Sequence, residues 1–151
     1  MKNIFLEEDT AGITNRINKL SPNSRPLWGK MTVAQMLAHC NVTFAYTYEP
    51  EKFKRPNFFM RFILKNVVKK YIVGPNPYKQ NGRTAPDFII ADERNFEMEK
   101  EKLIQNITRT QQLGEKHFDG LENLSFGKMS AKEWNTMFSK HLNHHLTQFG
   151  V

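Results

Sequence analysis

The run from Ser130 to about Gln148 constrains this chain more than any other. Ser130-Ala-Lys-Glu133 has the form of a capping box, a hydroxyl for one free N–H and a carboxylate reaching back. Behind it, Trp134, Phe138, His141, His145 and Gln148 fall at i, i+4, i+7, i+11 and i+14. That spacing places them on one face of a helix, the face a bundle helix turns toward its core. His141 and His145 are four apart, so their rings stack one turn above the other, as two imidazoles must to share one metal ion. The third histidine of the run, His144, points off that stripe and reads as a surface or supporting group. His117 sits in a polar connection and reads as solvated.

A chain of 151 residues fits one domain with a real core. Apolar content of 39% and twelve phenylalanines exclude a disordered chain. No apolar run approaches a membrane span, and the first residues turn acidic without the apolar core of a signal peptide. One cysteine, Cys40, allows no internal disulfide and fits a reducing compartment, so the expected location is cytoplasmic.

Four long helices are predicted. The first is capped by Asp9 or Thr10, buries Ile13, Ile17 and Leu20, and stops before Ser21-Pro22. The second opens on the capping box Thr32-Val-Ala-Gln35, carries the stripe Val33, Met36, Leu37, Cys40 and Phe44, and ends near Tyr48. The third runs from Asp92 to about Leu113 and stops at Gly114; the fourth is the helix described first. Between the second and third, residues 51–72 predict a short extra helix entered after Pro56. Phe58, Phe59, Phe62, Ile63, Asn66 and Val67 lie on one side of it, and Arg61, Lys65 and Lys69 on the other. Gly74 to Pro86 is a long loop rich in proline and glycine, of the kind that serves as a cover. The chain also echoes itself: Trp28-Gly-Lys-Met-Thr and Phe126-Gly-Lys-Met-Ser lead into the two capping boxes, which predicts that the second and fourth helices start at equivalent ends.

If they do, His39, about ten residues into its segment, lies within roughly 2 Å along the axis of His141. His39, His141 and His145 then converge. Three neutral nitrogens leave a divalent ion open positions, the arrangement of a catalytic site, and Zn, Ni or Fe accepts it. The alternative is a set of hydrogen-bonded core histidines. Glu49, Tyr46 and Tyr48 are comparable as an accompanying base, and the sequence singles out none.

The net charge of +7 is local. Residues 52–83 hold nine of the 22 basic residues (Lys52, Lys54, Arg55, Arg61, Lys65, Lys69, Lys70, Lys79, Arg83) and no acid, while the rest of the chain is slightly acidic. Arg61, Lys65 and Lys69 either face an anionic partner or are simply wet while the phenylalanines pack on the bundle; the phenylalanine spacing favours packing. No nucleic-acid fold pattern is present.

His141-x-x-His144-His145-x-x-Gln148 closing a helix, with Met36-Leu37-Ala38-His39 in helix two, resembles the DinB/YfiT-like superfamily. The approaches Trp28-Gly29-x-Met31 and Phe126-Gly127-x-Met129-Ser130-x-x-Glu133-Trp134, with the closing Gln148-Phe149, resemble one branch known as a domain of unknown function. The resemblance spans most of the chain outside residues 50–90. It implies an all-α fold, a four-helix bundle with the extra helix and long loop between helices two and three. It also implies a divalent metal on His39, His141 and His145. Better-understood members transfer or isomerise groups with small thiols such as bacillithiol or mycothiol, so a thiol-dependent transferase or a hydrolase acting on a small molecule is expected. No residue here marks a thiol site. The competing expectation is a non-catalytic module that engages an anionic partner through residues 52–83, and a third is a structural protein with a vestigial site. Apolar bundle faces leave a homodimer open, and no stretch specifies one.

Overall fold

Helix α1 (Glu7–Asn18) in the computed structural model, which describes residues 2–151, starts earlier than its capping residues suggested. Its N-cap is Leu6, without a side-chain cap. Glu7, Glu8 and Asp9 fill the first turn instead, where negative charge favours the exposed N–H groups. The Asp9 carboxylate turns back to accept from the Asn3 N–H at 2.8 Å, and the Thr10 hydroxyl donates to the Leu6 carbonyl at 3.0 Å, so neither is free to cap. Ile13, Ile17 and Leu20 are buried as expected.

Helices α2 (Val33–Tyr48) and α6 (Ala131–Gln148) both begin with complete capping boxes, on Thr32 and Ser130. The glycine of each echoed approach, Gly29 and Gly127, takes a positive φ of 83° and 69°. The echo is therefore a shared turn as well as a shared pattern. Helix α5 (Phe96–Phe118) begins a turn later than Asp92, capped by the Asn95 side chain. Gly114, at φ 72° and ψ 169°, breaks its regular geometry at the expected stop. One further turn then carries Phe118 into the core. A two-residue antiparallel ribbon, β1 (Glu122–Asn123) with β2 (Gly127–Lys128), joins α5 to α6.

Contacts along these helices fix their directions. Ile4 and Arg16 meet Asn135 and Asn143, so α1 and α6 run parallel. Asn41 and Tyr48 meet Asn106 and Thr110, so α2 and α5 run parallel. His39 packs against His145 and Phe44 stacks on Phe138, so α2 and α6 run antiparallel. The expectation that α2 and α6 start at the same end is thus overturned. Both capping boxes are good helix starts, but the echo carries no information about direction. His39 meets His141 because it lies near the start of α2 and His141 near the end of α6.

Because α2 and α5 run the same way, the connection between them must travel back along the roughly 24 Å length of α2. It does so through α3 (Phe58–Ile63), a π-helical turn (Leu64–Val68) and α4 (Lys69–Ile72), then through irregular chain. This covering segment turns its faces the other way from expectation. Leu64, Val68 and Ile72 pack on the core. Phe58, Phe59 and Phe62 stand 89%, 71% and 60% exposed. Arg61 pairs with Glu122, and Lys69 pairs with Glu133 at 2.8 Å and donates to the Lys128 carbonyl at 3.3 Å. The inward face is chosen by carboxylates roughly sixty residues away, which spacing within the helix cannot reveal. No helix among the described residues is long and apolar enough to cross a membrane.

Candidate metal centre

α2 supplies His39 in its second turn, and α6 supplies His141 and His145 in its last two turns. The three ring centroids lie 4.6 to 4.9 Å apart, and one nitrogen from each residue lies within 4.8 Å of the others. His39 and His145 are buried; His141 is partly exposed to a cavity of about 520 Å³.

The partners of the outer ring nitrogens decide what the inner ones can do. Nδ1 of His39 lies 2.8 Å from the Phe88 carbonyl, which can only accept. Nδ1 of His145 lies 2.8 Å from Oε1 of Gln148. The orientation of that amide is set in turn, since Nε2 of Gln148 donates to the Trp28 carbonyl at 2.7 Å. Both histidines therefore carry their proton on Nδ1 and keep a lone pair on Nε2. Nδ1 of His141 is 3.0 Å from the Thr43 hydroxyl, which can donate or accept. Its Nε2 faces Nε2 of His39 at 3.0 Å.

Gly29 is part of this arrangement. A Cβ there would meet Gln148 Nε2 at 2.6 Å, and its positive φ already disfavours a side chain. The turn before α2 thus leaves room for the amide that orients His145.

Burial pushes the basicity of His39, His141 and His145 down; neighbouring histidines add to it, His144 for all three, His39 for His141 and His145, and His145 for His141. His145 falls to about 3 and His141 goes well below its ordinary value, so the three are neutral near pH 7. Neutral imidazoles with fixed tautomers are the form that binds a metal ion.

The chain belongs to the DUF1569 family. That family, described as protein of unknown function, matches over residues 6–150. No curated protein and no solved structure matches the chain. The comparison thus gives this DUF1569 protein a family without an activity, and its chemistry has to be read from the cavity.

The other candidate residues are dispersed. His144 does not turn away to solvent; it lines the cavity, its ring 5.9 Å from Trp28 and 5.7 Å from Tyr78. It misses the nitrogen cluster because it sits a third of a turn or so from His145 on α6. His117 is exposed. Glu49 pairs with Lys52 at 2.7 Å, and Tyr48 bonds Thr110 at 2.6 Å, so both are engaged elsewhere. Tyr46 does reach the cavity and donates its hydroxyl to Asp87; burial and that carboxylate push its ionisation upward. Lys30, Lys79 and Arg83 line the same cavity, and no Asp or Glu does. Among the described residues, Trp28 Nε1 is the buried side-chain polar atom without a hydrogen-bond partner.

Thr43, Phe88 and Tyr78 were not singled out for the site from sequence. Thr43 was findable, one turn beyond His39 on α2. Phe88 contributes a backbone carbonyl and Tyr78 a ring from irregular chain, and neither leaves a periodic signal.

Proposed function

We propose that this DUF1569 protein is a divalent-metal enzyme of the DinB-like four-helix-bundle kind, with Zn, Ni or Fe held by His39, His141 and His145. The observation that carries the reading is the fixed tautomers of His39 and His145, which leave an Nε2 lone pair on each beside His141. A separation of 3.0 Å between two Nε2 atoms suits two ligands of one ion, since nitrogens each about 2.1 Å from a metal at about 90–109° lie about 3.0–3.4 Å apart. Without an ion the same contact is a hydrogen bond, with Thr43 donating to His141 Nδ1. The Thr43 hydroxyl serves either arrangement.

The chemistry supplied at a three-nitrogen site is Lewis acidity, which lowers the pKa of a water or a thiol near neutral pH. The chain's own residues do the rest. Phe88, Thr43 and Gln148 orient the three rings. Trp28, Tyr78 and Phe88 wall the cavity against bulk water. Lys30, Lys79 and Arg83, with no opposing carboxylate, favour a substrate that carries negative charge on an apolar body. The Trp28 N–H is a donor awaiting an acceptor. A thiol-dependent transferase or a hydrolase acting on a small anionic molecule fits these features.

Elemental analysis of protein purified without a nickel column tests the reading. Close to one equivalent of a divalent metal is expected in wild type, and loss of most of it in His141→Ala and His145→Ala. Metal retained by both variants would sink the assignment.

A further inference from the structure

The geometry points to a membrane-surface docking site on the outer face of α3 and the π-helical turn, with an anionic lipid bilayer as its occupant. This is independent of the histidine site. Phe58, Phe59 and Phe62 occupy the first two turns after Asn57 and project into solvent, and Val67, 64% exposed, continues the apolar strip. Three exposed phenylalanines on one short helix are an apolar face with nothing in the fold to cover it.

The charge around this face decides the partner. Lys54, Arg55, Lys65 and Lys70 flank it, all exposed, and among the described residues none has a carboxylate within ion-pairing distance. The paired cations of the same segment, Arg61 and Lys69, are turned inward to Glu122 and Glu133. The segment thus divides its cations into anchors that hold it to the body and free charges that precede and follow the phenylalanines along the chain. No acid lies between Glu51 and Asp87 to offset the free ones. Aromatic rings entering the acyl boundary while lysines meet phosphate headgroups is the arrangement of an interfacial helix. A second copy docking by the same face would set like charges against like. A nucleic acid would meet rings on a convex helix, without the flat platform or groove on which bases stack.

The segment is pinned where it leaves α4. Lys140 of α6, itself buried, donates to the carbonyls of Tyr71 at 2.8 Å and Gly74 at 3.0 Å and lies 4.3 Å from the Tyr78 ring. Arg61, between Phe59 and Phe62, pairs with Glu122, so the phenylalanines stand on a helix tied to the body.

Co-sedimentation of the full chain with phosphatidylcholine vesicles, with and without about one-third phosphatidylglycerol, tests the proposal. Wild type is expected to partition onto the anionic vesicles and not the neutral ones, with binding falling several-fold from low salt to about 0.15 M. The combined variant F58S/F59S/F62S changes only exposed positions and is expected to bind about tenfold or more weakly. Its unchanged circular dichroism is the check on folding. K54E/K65E/K70E is expected to lose binding as well while keeping all three phenylalanines. No partition of wild type at low salt overturns the proposal. So does equal binding by the phenylalanine variant, equal binding to neutral vesicles, or a homodimer in sedimentation equilibrium that the phenylalanine variant dissolves. A short DNA duplex held more tightly than the vesicles, in a phenylalanine-dependent way, overturns it in favour of nucleic acid.

Discussion

Helix α6 and the α3–α4 segment both turn apolar residues to the same core, and they differ in what they leave in solvent. α6 buries Trp134, Phe138 and Leu142, and with them the polar Thr136, Ser139, Lys140, His145 and Gln148, and leaves no large apolar side chain exposed. The covering segment leaves Phe58, Phe59 and Phe62 in solvent and ties Arg61 and Lys69 to the body. α6 is held by packing, which is strong and indifferent to salt. The cover is held by partly exposed ion pairs, by Lys140 on two carbonyls, and by a narrow stripe of Leu64, Val68 and Ile72. A helix pattern reports that two faces differ; which one turns inward depends on what the neighbouring surface offers.

Two phenylalanines report the difference between the two elements most directly. Phe138→Ala should cost about 3–5 kcal/mol of stability in urea unfolding, as expected for a fully buried aromatic. Phe59→Ala should stay within about 0.5 kcal/mol. Similar losses at both positions would mean that the covering helix packs its phenylalanines after all.

Acid should act next, and the buried histidines are one source of its effect. Burial holds His145 at about 3 and His141 well below its ordinary value, so the folded chain binds fewer protons there than the unfolded chain. The stability this contributes is fully present above about pH 6.5, the unfolded value, and is lost as pH falls toward about 3. Urea midpoints measured from pH 7.5 downward on protein stripped with a chelator should fall steadily. The slope should shrink in His145→Gln and persist in Lys65→Gln. An unchanged slope in His145→Gln would remove this residue as its source.

Gly29→Ala and Gln148→Leu probe how the first turn and the last helix cooperate. Each disturbs the amide that orients His145, and each should weaken zinc or cobalt binding about 10- to 100-fold with the fold retained. Titration followed by cobalt absorption or by calorimetry reads this directly. Wild-type affinity in both would detach Gln148 from the site. The smallest effect belongs to the anchors. Lys69→Met should cost about 1 kcal/mol or less at low salt and nothing measurable at high salt.

Much of the histidine site was legible because it rests on periodic elements. Both capping boxes and the stripe of α6 follow from spacing, His39 comes from its depth along α2 and from the family resemblance, and the structure brings all three rings together. The direction of α2 against α6 did not follow. Equal depth pointed to the same three residues through a parallel arrangement that the contacts His39–His145 and Phe44–Phe138 exclude. A helix start looks the same whichever way its neighbour runs. The cover was legible as a helix and a loop, and its long path now has a cause in the parallel run of α2 and α5. Its orientation and its carbonyl at Phe88 were hidden, because both depend on partners far away in sequence.

His39 and His141 are 102 positions apart, yet their nitrogens sit 3.0 Å from one another. No local piece of this chain contains the cluster: α2 alone holds one histidine, and α6 alone holds a pair without its third member. Closing such a long loop is among the slower events of folding, because the ordering cost comes before the contact rewards it. The cluster is therefore a reporter of completed folding. Ion uptake followed in time after dilution from denaturant should track the last kinetic phase, and not the earlier rise of helical signal.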